Sequence, residues 1–277
     1  MSQGNPNSVL ILRAVVVFVG TVVIAGTLLN RCGSGTQKPT RSFSGMPITP
    51  EIGETPRGDA VAPILAAIRR PAEFRTSEGL AMAILLDTSG SMRAGVTDID
   101  GRSRPKIDVA RRCVLEVVNQ ADRHAKQQPG KKTLLSIYEF SSRGNIFWRR
   151  LVPPGPPNPG AAAAALERVN SNGGTPIGEA MIQAKRDLDD TRLSRLHIIV
   201  VTDGENTDGP NPTDVMTAIS QLPEDERPGV YFIAFDVGTH VFKGVKDAGG
   251  VVLSASDARE LSQALEFLLG QKILLEQ

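Results

Sequence analysis

Apolar residues gather along this chain in short blocks, and the spacing inside the blocks alternates between two rules. Residues 80–86 form an unbroken apolar run of strand length, as expected for a strand buried on both faces. Residues 105–125 follow the other rule: Ile107, Ala110, Val114, Val117 and Val118 recur at helical spacing, with Arg111, Arg112 and Glu116 between them. The same reading predicts strands at 133–140, 146–152, 196–202, 230–235 and 251–254, and helices at 161–169, 175–188, 214–222, 242–248 and 258–269. Asp257 falls near the cap of the last helix, and Pro176 falls in the first turn of the helix at 175–188. Trp148-Arg149-Arg150 interrupt the apolar run at 146–152, which makes it an edge strand. The proline-rich stretch 153–160 is expected to be irregular. Strands alternating with helices imply an α/β fold with a doubly wound, mostly parallel central sheet and helices on both faces.

The N-terminal part obeys neither rule. Residues 9–29 are almost wholly apolar, broken by Arg13. The clean part, 14–29, is slightly short of the roughly 20 residues a spanning helix needs, but Arg13 can snorkel and 9–12 can extend it. The expectation is a single-pass membrane anchor in residues 1–32, with a cleaved signal segment as the competing reading. Leu28-Leu29-Asn30-Arg31 is a poor cleavage site, and Asn30-Arg31 before Cys32 argue against a lipoprotein. A short N-terminus, one basic residue and an apolar run are the layout of an export signal, which puts the soluble part outside the cytoplasm. Arg31, Lys38 and Arg41 on the far flank point the other way. Residues 33–76 read as a flexible Gly-, Ser-, Thr- and Pro-rich linker with a short helix at 61–70, stopped by Pro71, and residues 77–277 as one globular domain.

Composition narrows the function classes. A net charge of +1 gives no electrostatic case for nucleic acid, and 4% aromatic residues argue against stacking platforms. Cys32 and Cys113 fit neither a metal spacing nor a disulfide framework, and Cys113 lies on the apolar face of a helix as a buried thiol.

The chemistry gathers at three strand or helix ends. Asp87-Thr88-Ser89-Gly90-Ser91-Met92 closes the first strand, Asn172-Gly173-Gly174-Thr175-Pro176 opens a helix, and Val201-Thr202-Asp203-Gly204 closes another strand. Loops after neighbouring parallel strands meet at one edge of such a sheet, so Asp87, Ser89, Ser91, Thr175 and Asp203 can converge there. Carboxylates and hydroxyls are hard oxygen ligands of the kind a divalent cation prefers.

With these pieces in this order, residues 80–269 resemble a von Willebrand factor type A domain with a metal-ion-dependent adhesion site. The Asp-x-Ser-x-Ser element, Gly173-Gly174-Thr175-Pro176 and the strand-end Asp203 carry the resemblance, and 233–235, 248–250 and 254–257 fit it. It implies a Rossmann-like fold and a non-enzymatic site for Mg2+, or alternatively Ca2+ or Mn2+. It further implies that Ser89, Ser91 and Thr175 bind the ion directly, that Asp87 and Asp203 act mostly through waters, and that a protein partner supplies an acidic side chain. Some related domains serve as assembly subunits beside hexameric ATPases in metal insertion or enzyme maturation, which is an alternative role.

Other residues have plainer readings. A Mg-dependent phosphatase with Asp87 as nucleophile lacks its general acid, since Ser89 stands where a second acid belongs. Asp98-Ile99-Asp100-Gly101 reads as a polar rim turn, Glu179 as a solvated or dipole-pairing acid, and Trp148 as packing or edge cover. His124, His197 and His240 show no ligand spacing, and His197 reads as a hydrogen-bonded core residue. Partner specificity is expected from the rim loops 93–104, 153–160 and 205–212.

Overall fold

The computed structural model describes residues 58–70 and 76–275. The expected anchor in 1–32 and nearly all of the linker lie outside the described residues. Among the described residues no helix is long and apolar enough to cross a membrane.

In chain order the elements are α1 (Gly58–Ile68), β1 (Ser77–Asp87), β2 (Gly95–Thr97), β3 (Ser103–Pro105), α2 (Lys106–Gln127), β4 (Thr133–Arg143), β5 (Ile146–Gly155), α3 (Pro159–Leu166), α4 (Ile177–Asp190), β6 (Leu193–Thr202), α5 (Pro212–Ser220), β7 (Gly229–Phe235), α6 (Lys243–Asp247), β8 (Val251–Ala255) and α7 (Ala258–Phe267). The main sheet has the order β5-β4-β1-β6-β7-β8. Every neighbouring pair is parallel except β4–β5. The expected fold class therefore holds.

The unbroken apolar run of β1 follows from its central place. Leu80, Met82, Ile84 and Leu86 point into one core, with Val114, Val117 and Val118 of α2 and Leu261 and Leu265 of α7. Ala81, Ala83 and Leu85 point into the other, with Ile177, Met181 and Leu188 of α4 and Val215 and Ile219 of α5. This is the period-2 alternation of a strand, with both phases apolar because both faces are covered. Cys113 lies buried in the first core, where burial pushes its thiol up to about 12.

Four local expectations are corrected. The stretch 153–160 is not all irregular: β5 runs to Gly155, paired with Leu135, and Pro159 opens α3. Proline is tolerated there because β5 is an edge strand and its register with β4 shifts between Val152 and Gly155, where Pro153 and Pro154 lie. Pro176 is not inside α4; it caps the helix from φ −87° and ψ 65°. Residues 95–105 contain a small β2–β3 ribbon, and Asp98 at its turn is buried on Arg104 and Arg112, not solvated on a rim. The last helix changes character before 269, giving way to a π-helical turn, Leu268–Ile273.

Candidate functional site

Register sets the site. Leu86 of β1 pairs with Val201 of β6, which pairs with Ile233 of β7, so three strands end at one level. Asp87, Thr202 with Asp203, and Asp236 follow that row. Ligand sites of open α/β sheets lie at this edge, where the chain winds outward in both directions from β1.

Asp87 is fully buried. Its Oδ1 accepts the Ser89 N–H at 2.7 Å and its Oδ2 accepts the Thr202 hydroxyl at 2.6 Å. Burial pushes its carboxyl up to about 6, against the pull of the Thr202 and Ser89 hydrogen bonds. Asp87 thus fixes the turn that follows, with Ser89 and Ser91 side by side, their Oγ atoms 2.9 Å apart. Ser91 donates to Asp203 Oδ1 at 2.6 Å. A hydroxyl whose hydrogen is committed to a carboxylate turns its lone pairs elsewhere.

The second loop is laced to the first. Gly90 N donates to the Gly173 carbonyl at 2.9 Å, and Asn172 N donates to the Thr88 carbonyl at 2.8 Å. Gly173 has φ +83°, and a Cβ there would lie 2.0 Å from the Ser142 carbonyl oxygen, so only glycine fits. This turn delivers Thr175, 5% exposed, to the strand ends. A Cβ placed on Gly204 would lie 3.9 Å from Ser91 Oγ and 4.0 Å from Thr175 Oγ1, so both hydroxyls flank that glycine. The third loop returns the contact: Thr175 N donates to Thr207 Oγ1 at 2.7 Å, and Asn206 Oδ1 accepts the first amide of α4, Ile177 N, at 2.8 Å.

All five residues singled out in the sequence, Asp87, Ser89, Ser91, Thr175 and Asp203, therefore meet at one edge. Their chemistry suits a hard cation: oxygen donors only, hydroxyls with lone pairs to give, and acids behind them. Among the described residues no group of three or more His, Cys, Asp or Glu side chains gathers to hold a metal.

Several residues of this edge are not evident from the sequence. Thr202 and Asn206 hold Asp87 and α4, and adjacency to the motif is the one signal they carry. Lys106, only 6% exposed, donates to Asp203 Oδ2 at 3.0 Å and pairs with Asp236 Oδ2 at 2.8 Å. Burial opposes the charge on Lys106, but the bonds from Asp236 and Asp203 raise its pKa above the ordinary lysine value. Glu179, expected to be solvated or dipole-pairing, lies in the first turn of α4 beside Gly209.

Comparison with known proteins agrees with this architecture. Residues 82–205, from β1 through the loop after Asp203, match the family model described as von Willebrand factor type A domain. None of the curated proteins compared matches the chain. Among solved structures, the PilB minor pilin from Streptococcus sanguinis superposes with a TM-score of 0.55 at 13% identity, over 74% of this chain and 63% of the pilin. A von Willebrand factor type A protein from Catenulispora acidiphila gives 0.54 at 19% identity, over 72% of this chain and 43% of that one. An aerotolerance-related membrane protein from Bacteroides fragilis gives 0.50 at 17% identity, over 70% of this chain and 100% of that one. The match thus spans less than two thirds of the first of these proteins, and identities this low speak to fold alone. Fold and family match together make this α/β domain similar to a von Willebrand factor type A domain, with the five residues at the carboxyl edge of its mostly parallel sheet.

Proposed function

We propose that this chain is a non-enzymatic, divalent-metal-dependent protein-binding module that captures an acidic side chain of a partner. The observation that carries the reading is the arrangement around Ser91. Its Oγ lies beside that of Ser89, shares the flank of Gly204 with that of Thr175, and gives its hydrogen to Asp203. Ser89, Ser91 and Thr175 would hold the ion, while Asp87 and Asp203 orient and polarise the set from behind. Mg2+, with Ca2+ or Mn2+ as alternatives, would supply a strongly electrophilic position that a partner's carboxylate completes.

The chain's own part is to fix the hydroxyls and keep the two acids occupied. Asp87 spends its oxygens on Ser89 N and Thr202, and Asp203 spends its oxygens on Ser91 and Lys106. Neutral oxygen donors leave a cation's charge largely uncompensated, which favours an anionic group from outside. The family match and the pilin among the structural neighbours support a binding role. The reading includes a single-pass anchor in residues 1–32, with the domain outside the cytoplasm; the apolar run at 9–29, behind a short N-terminus with one basic residue, supports it.

Calorimetry with Mg2+, Ca2+ and Mn2+ on the purified protein tests the metal reading, and pull-down with and without chelator tests the capture. Ser89→Ala is expected to remove both responses while leaving the thermal transition in place. Partner retention in excess chelator, or no heat with any of the three ions, sinks the mechanism. Carbonate extraction of membranes and protease accessibility in spheroplasts test the anchor and its sidedness.

A further inference from the structure

Lys106 stands where a lysine has little local reason to stand. It is the first residue of α2, and a cation there opposes the positive end of the helix macrodipole. It is almost wholly buried, which opposes its charge again. Its second partner is also held at a cost. Asp236 sits at φ +55°, a left-handed conformation uncommon for a residue with a side chain, and its N–H is tied to the Ala255 carbonyl at 2.6 Å. Three unfavourable placements thus converge on one ammonium bridging Asp203 and Asp236.

The consequence falls on Asp203. Its Oδ1 accepts from Ser91 and its Oδ2 accepts from Lys106, so neither oxygen stands without a donor. An acid clamped by one donor on each oxygen keeps lone pairs but is less free to turn an oxygen onto the ion. The geometry points to Lys106 as the residue that keeps the cation site hydroxyl-ligated: it restrains Asp203, and so preserves on the ion the charge that an outside carboxylate would answer. This rests on the metal reading proposed above and adds the residue that sets its charge balance. Lys106 is a positioning residue, acting through Asp203.

The direction of a mutational effect separates this role from ordinary support. Loss of a residue that merely orients a ligand set lowers metal affinity, commonly about 10–100-fold. Loss of a residue that withholds an acid raises it. Mg2+ affinity is measured by calorimetry on the purified full-length protein, with circular dichroism and thermal melting to establish folding. Lys106→Met is expected to bind Mg2+ about tenfold more tightly, or more, and Lys106→Arg to return affinity toward wild type. Lys106→Gln gives the same reading should the methionine variant fail to fold. In an Asp203→Asn background the gain from Lys106→Met should vanish, because the acid it releases is gone. A gain that survives in that background assigns the effect to through-space repulsion and overturns the proposal. Unchanged or weaker binding by both neutral variants overturns it as well, leaving the metal site standing. No binding by wild type removes the metal site itself, and the role of Lys106 with it.

Discussion

Thr202 gives its hydroxyl hydrogen to Asp87 Oδ2 at 2.6 Å, from the last residue of β6 to the last residue of β1. The bond crosses the join between the two central strands and lies wholly out of solvent. Thr202→Val keeps the shape and removes the donor, leaving a buried carboxylate with one partner fewer. The expected cost is about 1–3 kcal/mol in urea unfolding, with weaker Mg2+ binding alongside. Thr202→Ser should recover both, since it retains the hydroxyl.

Asn206 is expected to behave as a helix cap supplied from a distant loop. Its Oδ1 accepts from Ile177 N at 2.8 Å and Gly178 N at 3.4 Å, while Nδ2 donates to the Asp208 carbonyl at 3.0 Å. Pro176, the residue at the cap itself, has no side-chain acceptor to offer. Asn206→Ala should cost about 0.5–2 kcal/mol, and Asn206→Asp should recover only part of it, because its second oxygen would face the Asp208 carbonyl without a hydrogen to donate. Urea midpoints at neutral pH are the measurement.

What could be read from the sequence follows from how locally each feature is determined. The alternation of runs gave strands and helices because both phases of β1 are apolar and one face of α2 is. The five site residues stood out because each sits in a short motif with polar atoms that a core strand does not need. Lys106 and Asp236 carry no such mark. Their meeting depends on α2 beginning beside the ends of β6 and β7, which only the assembled sheet decides. The burial of Asp98 is likewise not legible along the chain: its partners Arg104 and Arg112 come from β3 and α2. The extension of β5 through two prolines is not legible either, because proline's place in a strand depends on the pairing and register of that strand.

A buried ion cluster joins α1 to α4 on the face away from α2. Asp189 Oδ1 accepts from Arg70 Nε at 2.7 Å, and its Oδ2 accepts from Lys185, which is fully buried and also donates to the Ile68 carbonyl at 3.4 Å. Burial lowers the Lys185 pKa despite Asp189. Asp189→Ala should leave two buried cations without their shared acid and cost about 3–5 kcal/mol in chemical denaturation. Pairing it with Lys185→Met should return part of that loss, which a double-mutant cycle measures.

His197 predicts acid sensitivity away from the cation edge. It is 3% exposed in β6, stacked on Tyr231 with ring centroids 5.9 Å apart. Burial lowers its pKa to about 4, with the Arg195 charge adding to the effect. The folded chain therefore favours the neutral ring. Its contribution is complete above the ordinary value of 6.5 and is lost as pH falls through about 4. The loss amounts to about 3 kcal/mol. Urea midpoints taken between pH 7 and pH 4 should fall more steeply with acidification in wild type than in His197→Gln. Parallel profiles would refute this assignment.

The outer strands give the sheet a further property. On one side, β5 presents Arg149 and Arg150 to solvent and ends through Pro153 and Pro154, which have no N–H to offer a neighbour. On the other, β8 is only 5 residues long. Charge, proline and shortness all make poor templates for strand addition. Neither flank therefore offers a second copy a long, uncharged strand to extend.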